Sequence, residues 1–247
     1  MKKLSLIAIL LLTVTYNFFA RANATVNEDR VRIRTAPSLK YSKVVTVVTR
    51  GQPLIVHSKT SEKETIDGFT CEWYEVEYDD RSYGWIYGAY IDIEKNDDNY
   101  FHEYTKAEAI TQALYEELYH HFFNGEAYNA KIEWINGNYK LIDQHSFTMK
   151  CSDGTTGTAT TYTYDVDGNE VVMGFGGLLS TTIKKNIPNS FSVKIGMTKD
   201  QLREMLGPEI KEYYWVYLYG DEGCIKFNFS GSTLESIYID RNPFTGD

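Results

Sequence analysis

The sequence predicts a mainly β protein whose second half is α+β. Three observations carry this. From Val26 to Glu94, short runs alternate apolar with polar residues and are closed by turn signals, the mark of half-buried strands. One helical stripe, Ile110, Ala113, Leu114, Leu118 and Phe122, interrupts that pattern. The composition holds 20 tyrosines but 5 prolines, which suits folded β structure rather than disorder.

In chain order, Lys2 and Lys3 precede an apolar run from Leu4 to Val14, too short for the ~20 residues a membrane span takes. Two overlapping small-x-small sites follow, Ala20-Arg21-Ala22 and Ala22-Asn23-Ala24. This is the pattern of a secretory signal peptide over residues 1–24, cut after Ala22 or Ala24. It predicts an exported protein, periplasmic or extracellular, meeting a membrane only through the signal peptide before cleavage. Its loss moves the formal charge from −9 to −12, because Lys2, Lys3 and Arg21 go and no acid does. So acidic a chain repels phosphate backbones, which argues against nucleic acid as a partner. Cys71, Cys151 and Cys224 match no zinc spacing; a Cys151–Cys224 disulfide and buried unpaired thiols both stand as readings.

The first module runs over residues 25–94. Val31 and Ile33 alternate with Arg30, Arg32 and Arg34, giving a strand with a basic outer face, broken by Ala36-Pro37-Ser38. Val44 to Val48 and Leu54 to Val56 follow, then a polar loop from about His57 to Asp67. Trp73 to Tyr78 and Tyr83 to Tyr87, joined by Asp79-Asp80-Arg81-Ser82, form a hairpin. Parity puts Tyr74, Val76 and Tyr78 on one face and Trp73, Glu75 and Glu77 on the other, with Trp85 beside Tyr83 and Tyr87. Trp73 and Trp85 are then either displayed for a ligand or plug the ends of a small barrel.

Val31 to Ser38, Tyr41, Val44-Val45, Gly51, Trp73-Tyr74-Glu75-Val76 and Gly84-Trp85-Ile86, in that order, resemble the bacterial SH3-like (SH3b) domain. The resemblance implies a small SH3-like β-barrel that holds cell-wall peptide or an envelope protein partner. The ligand contacts expected on this basis are Arg34, Tyr41, Trp73, Trp85 and Tyr87. Two departures bear on groove shape: Ala36 stands where the family usually has Gly before Pro, and the loop before Trp73 is long.

Residues 95–104 read as a linker to a helix-plus-antiparallel-sheet domain over 105–247. Thr105 and Glu108 form a capping box for its helix, which Asn124-Gly125 ends. Strands are expected at Lys131–Trp134, Tyr139–Ile142, Phe147–Cys151, Thr158–Tyr164 and Glu170–Gly174, with turns at Asn136-Gly137 and Asp165 to Asn169. A second capping box, Thr198 and Gln201, opens a short helix that Gly207-Pro208 stops. Three strands close the chain: Tyr213–Tyr219, Cys224–Phe229 and Leu234–Ile239. Gly196-Met197-Thr198, Leu206-Gly207-Pro208, Trp215-Val216-Tyr217, Phe227-Asn228-Phe229 and Leu234 to Ile237 resemble the SmpA/OmlA-type envelope assembly factors and the related β-lactamase-inhibitor fold. That likeness spans residues 191–240 and implies a protein-interaction surface at Tyr213, Trp215 and Tyr217. Residues 105–190 read as a diverged first copy of the same unit, though no shared motif ties the two.

No catalytic constellation emerges. A cell-wall peptidase of the NlpC type needs a Cys at a helix start with a His far downstream, yet His57, His102, His120, His121 and His145 all precede Cys151 and Cys224. Lys106 occupies the position of the second zincin His after His102-Glu103. The His120-His121 rings diverge by about 100° on a helix; with His102 and His145 they form at most a surface site. Asp165-Val166-Asp167-Gly168-Asn169 resembles a calcium loop but lacks its later acids and fits a hairpin turn. Gly174 to Gly177 has no following Lys-Ser/Thr, and no Gly-x-Ser-x-Gly occurs. The sequence thus predicts a non-enzymatic envelope protein with no metal and no cofactor. Two alternatives stand: an uncatalogued cell-wall hydrolase targeted by the SH3-like domain, and an inhibitor or assembly factor acting through its C-terminal sheet.

Overall fold

Ten short strands build the first half: β1 (Ala22–Val26), β2 (Val31–Arg34), β3 (Val44–Val48), β4 (Pro53–Thr60), β5 (Glu64–Ile66), β6 (Phe69–Cys71), β7 (Trp73–Asp79), β8 (Ser82–Tyr87), β9 (Ile91–Ile93) and β10 (His102–Tyr104). The computed structural model describes residues 21–94, 101–122, 135, 137–150, 154–174, 177–207, 210–218 and 221–240. Expectations that lie outside these residues are the signal peptide up to residue 20, the strand at Lys131–Trp134, the stop at Asn124-Gly125, and the positions of Cys151 and Pro208.

Eight of the strands form one sheet in the order β3-β2-β8-β7-β4-β1-β9, with β10 added in parallel to β4. The path is open, so the expected barrel is not closed; β3 and β9 are its ends. Alternation sets the inner face, where Ala24, Val31, Ile33, Leu54, Val56, Val76 and Ile86 meet. β2 and β8 approach so closely that a Cβ on Gly84 would lie 2.5 Å from Ile33 Cγ2 and 3.0 Å from the Arg34 carbonyl.

Three boundaries differ from the sequence reading. Ala22–Ala24, taken as the end of the signal peptide, belongs to β1; Ala22 and Ala24 are buried and β1 pairs with β4 and β9. The same small alternating residues serve a strand and fit the pattern of a cleavage site. The segment taken as a linker contains β10. The expected polar loop after Val56 is instead four more residues of β4 and the β5–β6 hairpin, turned at Asp67-Gly68 with both φ positive, 51° and 85°. A bulge at His57, between the Val56↔Val76 and Ser58↔Glu75 pairs, changes the face that β4 presents. Leu54 and Val56 point into the inner core, while Ser58 and Thr60 are buried on the other side. Both hydroxyls are satisfied: Ser58 donates to Glu75 (2.7 Å), and Thr60 accepts from the Trp73 amide (3.0 Å).

The second half comprises α1 (Lys106–Phe122), β11 (Lys140–Lys150), β12 (Thr156–Val166), β13 (Asn169–Gly174), β14 (Gly177–Ile183), α2 (Lys199–Leu206), β15 (Tyr213–Leu218), β16 (Asp221–Ser230) and β17 (Thr233–Asp240). Both capping boxes form. Thr105 accepts from the Glu108 amide (3.2 Å) and Glu108 accepts from the Thr105 amide (3.0 Å); Thr198 and Gln201 do the same at α2. Ile135, Gly137 and Asn138 are helical, closed by a 2.8 Å bond from the Tyr139 amide to the Ile135 carbonyl; Asn136 of the expected turn lies outside the described residues. Ile135 is buried in the main core. The two strands expected over 139–151 are one, β11, and β14 was not foreseen.

The seven strands order as β11-β12-β13-β14-β17-β16-β15. A helix followed by a meander therefore occurs twice, and the two meanders join through their last strands, with Thr181 opposite Ile239. Residues 191–240 do not own a separate sheet. One face packs against the helices through Ile110, Leu114, Leu118, Leu202, Met173, Ile183, Ile225 and Phe227. Cys224 is a buried free thiol and Cys71 a half-buried one; Cys151, the expected partner of Cys224, lies outside the described residues. Among the described residues no helix is long and apolar enough to cross a membrane.

The halves are joined by burial. Ala36, fully buried, sits in the core of the second half, where the departure from Gly supplies a methyl group. Trp73, Trp85 and Tyr87 cluster against Ala109 of α1. In a crevice of about 50 Å³ at this junction lie Glu75 of β7 and Glu116 of α1. Burial first, then the Glu75 charge, pushes the Glu116 carboxyl up to about 7, against the opposing hydrogen bond with Gln112.

Two outcomes follow. Gly84→Ala is expected to cost about 1–3 kcal/mol, since a methyl there must displace Ile33 or the β2 backbone; urea unfolding reads it. An acid whose folded pKa is raised binds more protons folded than unfolded, so its contribution is greatest in acid and falls as pH rises from about 4.5 through about 7. Thermal unfolding should show about 1–3 kcal/mol lost between pH 5 and 8, and Glu116→Gln should flatten that part of the profile.

Candidate functional site

The outer face of the first sheet is where the expected ligand residues meet, or fail to. Arg34 lies directly opposite Trp85, Trp85 opposite Glu75, and Tyr87 opposite Trp73, so these side chains share one face. Parity is as the sequence predicts, but display is not. Trp73 is 2 %, Trp85 5 % and Tyr87 3 % exposed, because α1, β10 and the β5–β6 hairpin lie over them. Neither reading of these rings, display to solvent or plugging a barrel end, describes them. They fill the seam between the two halves.

Their polar atoms are already engaged. Trp73 Nε1 donates to Glu64 Oε2 (2.9 Å), which also receives Lys106 Nζ (2.9 Å). The Tyr87 hydroxyl bonds the Glu64 and Phe69 carbonyls (each 2.6 Å) and accepts from the Cys71 amide (3.0 Å). Such rings offer a ligand apolar wall and no hydrogen bond.

What stays open is a groove of about 670 Å³ at the β2 end of that face. Arg32, Arg34, Leu39 and Val47 line it together with Ile66, Asp67, Trp73, Tyr87 and Tyr90. Arg32 and Arg34 are two residues apart on one strand and so point the same way. Val47, 52 % exposed, is opposite Arg32, and Leu39 is 51 % exposed. Leu39 rides on a loop fixed by Ser38, whose buried hydroxyl accepts from the amides of Lys40 (3.2 Å) and Tyr41 (3.0 Å). Arg34 Nη1 donates to Ser42 Oγ at 3.2 Å. Burial, then the Arg32 charge, holds the Arg34 guanidinium below its ordinary pKa. Among the described residues no carboxylate forms an ion pair with Arg30, Arg32 or Arg34. The groove's acids are used elsewhere: Glu28 pairs with Arg50 (3.0 Å), Asp29 accepts the Arg50 amide (3.2 Å), and Asp67 accepts from Tyr90 (3.3 Å).

The five expected ligand residues are thus divided. Arg34, Trp73 and Tyr87 reach this groove; Trp85 lines the crevice with Glu116; Tyr41 lines a cleft between the halves, with Lys106, Glu204, Lys211 and Tyr214. Lys40–Glu204 and Lys211–Glu108 ion pairs span or flank that cleft. Sequence reasoning left out Arg32, Leu39, Val47 and Tyr90. Arg32 was legible, since it shares the alternation that singled out Arg34.

On the second sheet, Trp215 is 48 % exposed and packs edge-on against half-buried Tyr213 (5.3 Å), on the face away from the helices. The Tyr217 side chain lies outside the described residues. The histidines do not converge: His57 pairs with Glu77 (3.2 Å), while the His102, His120 and His145 rings lie against Tyr104, Tyr119 and Phe147. Asp165 to Asn169 is a hairpin turn in which Asp165 Oδ1 accepts the Gly168 amide (2.6 Å). Among the described residues no three His, Cys, Asp or Glu are grouped to hold a metal ion.

Trp73→Ala is expected to destabilise the protein by about 3–5 kcal/mol, as for a buried aromatic, while Arg32→Gln stays within about 0.5 kcal/mol of wild type. Chemical denaturation distinguishes the seam residue from the groove residue.

Comparison with curated proteins and with solved structures gives no match. The likeness of residues 191–240 to the SmpA/OmlA factors finds no support in these comparisons. Against protein families, the chain matches the bacterial SH3 domain over residues 29–92, the segment that carries β2 to β8 and the groove.

Proposed function

We propose that this is a non-enzymatic exported protein whose SH3-like module docks on cell-wall peptide or on an envelope protein partner. The observation that carries the reading is the groove beside Arg32 and Arg34, which is open on the segment that matches the bacterial SH3 domain. The family match supports a binding role, and the buried cluster of Trp73, Trp85, Tyr87 and Ala109 supports a second half packed against the module. Export rests on the signal-peptide pattern before Ala22. A cut after Ala22 leaves four residues of β1, Asn23 to Val26, whereas a cut after Ala24 leaves two.

A second reading has its own support. The exposed Trp215–Tyr213 pair lies on a sheet face without helices, and aromatic side chains are enriched at protein interfaces. In that reading the C-terminal sheet is the active surface of an inhibitor or assembly factor.

Co-sedimentation with purified cell-wall sacculi separates the two. Wild type is expected to sediment saturably, and Arg32→Glu/Val47→Asp to remain in solution with an unchanged unfolding midpoint. Trp215→Ala should behave as wild type. If the wild-type protein stays in solution, wall docking is wrong and the search moves to protein partners, with Trp215 as the first position to probe.

A further inference from the structure

We infer that the Arg32–Arg34 groove is a receptor for a peptide carboxylate, flanked by an apolar side chain. This rests on the binding role proposed above and names the chemistry that the groove reads. The protein carries a formal charge of −9, yet Arg30, just before β2, and Arg32 and Arg34 within it all line one concavity. Among the described residues these arginines have no carboxylate ion-pair partner, which leaves them as cations open to an external anion. Two guanidiniums that point the same way and raise each other's electrostatic cost are relieved by one anion shared between them. Guanidinium matches a planar carboxylate in a two-bond fork, which an ammonium cannot do.

The walls narrow the class further. Leu39 and Val47 stand exposed beside the cations, and Trp73 and Tyr87 give only ring surface. That combination suits a carboxylate carried on an apolar or short-chain residue rather than a bare phosphate. Glu28, Asp29 and Asp67 also line the groove. A polyanion entering it meets these acids as well, whereas a short peptide that carries both an amine and a carboxylate is complementary to both signs. Fixed loops favour the same conclusion. Ser38 ties the Leu39 loop, and the β5–β6 hairpin is held by Tyr87, so the groove is formed before a ligand arrives.

The test uses the purified full chain and a fluorescent peptide, acyl-Lys-Leu-Ala, prepared with a free C-terminal carboxylate and as its C-terminal amide. Anisotropy titration is expected to show the acid binding at least about tenfold more tightly than the amide, the scale of one charge-assisted pair. Arg32→Gln should remove that ratio without shifting the unfolding midpoint, and inorganic phosphate at millimolar concentration should not displace the acid. Equal binding of acid and amide, no binding of either, an unchanged ratio in Arg32→Gln, or displacement by phosphate each overturns the inference. Sacculi with carboxyls converted to amides form a separate arm. Sedimentation with native and amidated sacculi alike leaves wall docking standing and removes the carboxylate from it. Discrimination between the peptides without sedimentation keeps the carboxylate site and assigns it to a protein terminus.

Discussion

The β7–β8 hairpin has two faces that both need burial, and the architecture follows from meeting that need. Its inner face, with Val76 and Ile86, is covered by its own sheet. Its outer face carries Trp73, Trp85 and Tyr87, too much ring surface for one small module to leave in water. The second half supplies the cover. Ala109 brings the first turn of α1 onto the rings, β10 lengthens the sheet beneath the helix start, and Ala36 is drawn from the first module into the second core. The seam is thus a third cluster of buried apolar side chains, drawn from both halves.

That cover has an electrostatic side. Glu62 accepts the Lys106 amide at the N-terminus of α1 (2.8 Å), where the helix dipole favours negative charge. Glu64 links Trp73 to Lys106 at the same end. Further along the seam the match is poorer, for Glu75 and Glu116 face one crevice. Ser58 bonds Glu75, while burial and then the Glu75 charge raise the Glu116 carboxyl. The same closure decides where a ligand can sit. With the ring-bearing part of the outer face covered, the accessible part is its margin at β2 and β3, where Arg32, Arg34 and exposed Val47 lie.

In the second half, the constraint is the pairing of β14 with β17. It joins two helix–meander units into one sheet with both helices on one side, and so leaves the other face to Trp215 and Tyr213. A shared sheet also explains why the C-terminal residues, though the better signalled in sequence, are not independent. Ile237 and Ile239 sit in the same core as Val171 and Ile183 of the first unit.

Local chemistry was readable from the sequence wherever one residue type has one use. Thr105 with Glu108, and Thr198 with Gln201, marked two helix starts. Asp79 to Ser82 marked a hairpin, and the parity of β7 and β8 assigned every side chain to its face. The sequence also singled out Arg34, by alternation. It was ambiguous where one signal serves two ends: Ala22 and Ala24 fit a cleavage site and also form a strand, and Ser58 and Thr60, expected in a loop, are buried in a strand. Which end wins depends on residues distant in the chain, such as Glu75, which accepts from the Ser58 hydroxyl. Periodicity says that a face exists and what it is made of. Whether Trp73 meets water, ligand or a helix is set by a segment more than thirty residues further on, and only packing of the whole chain brings Ala109 onto it.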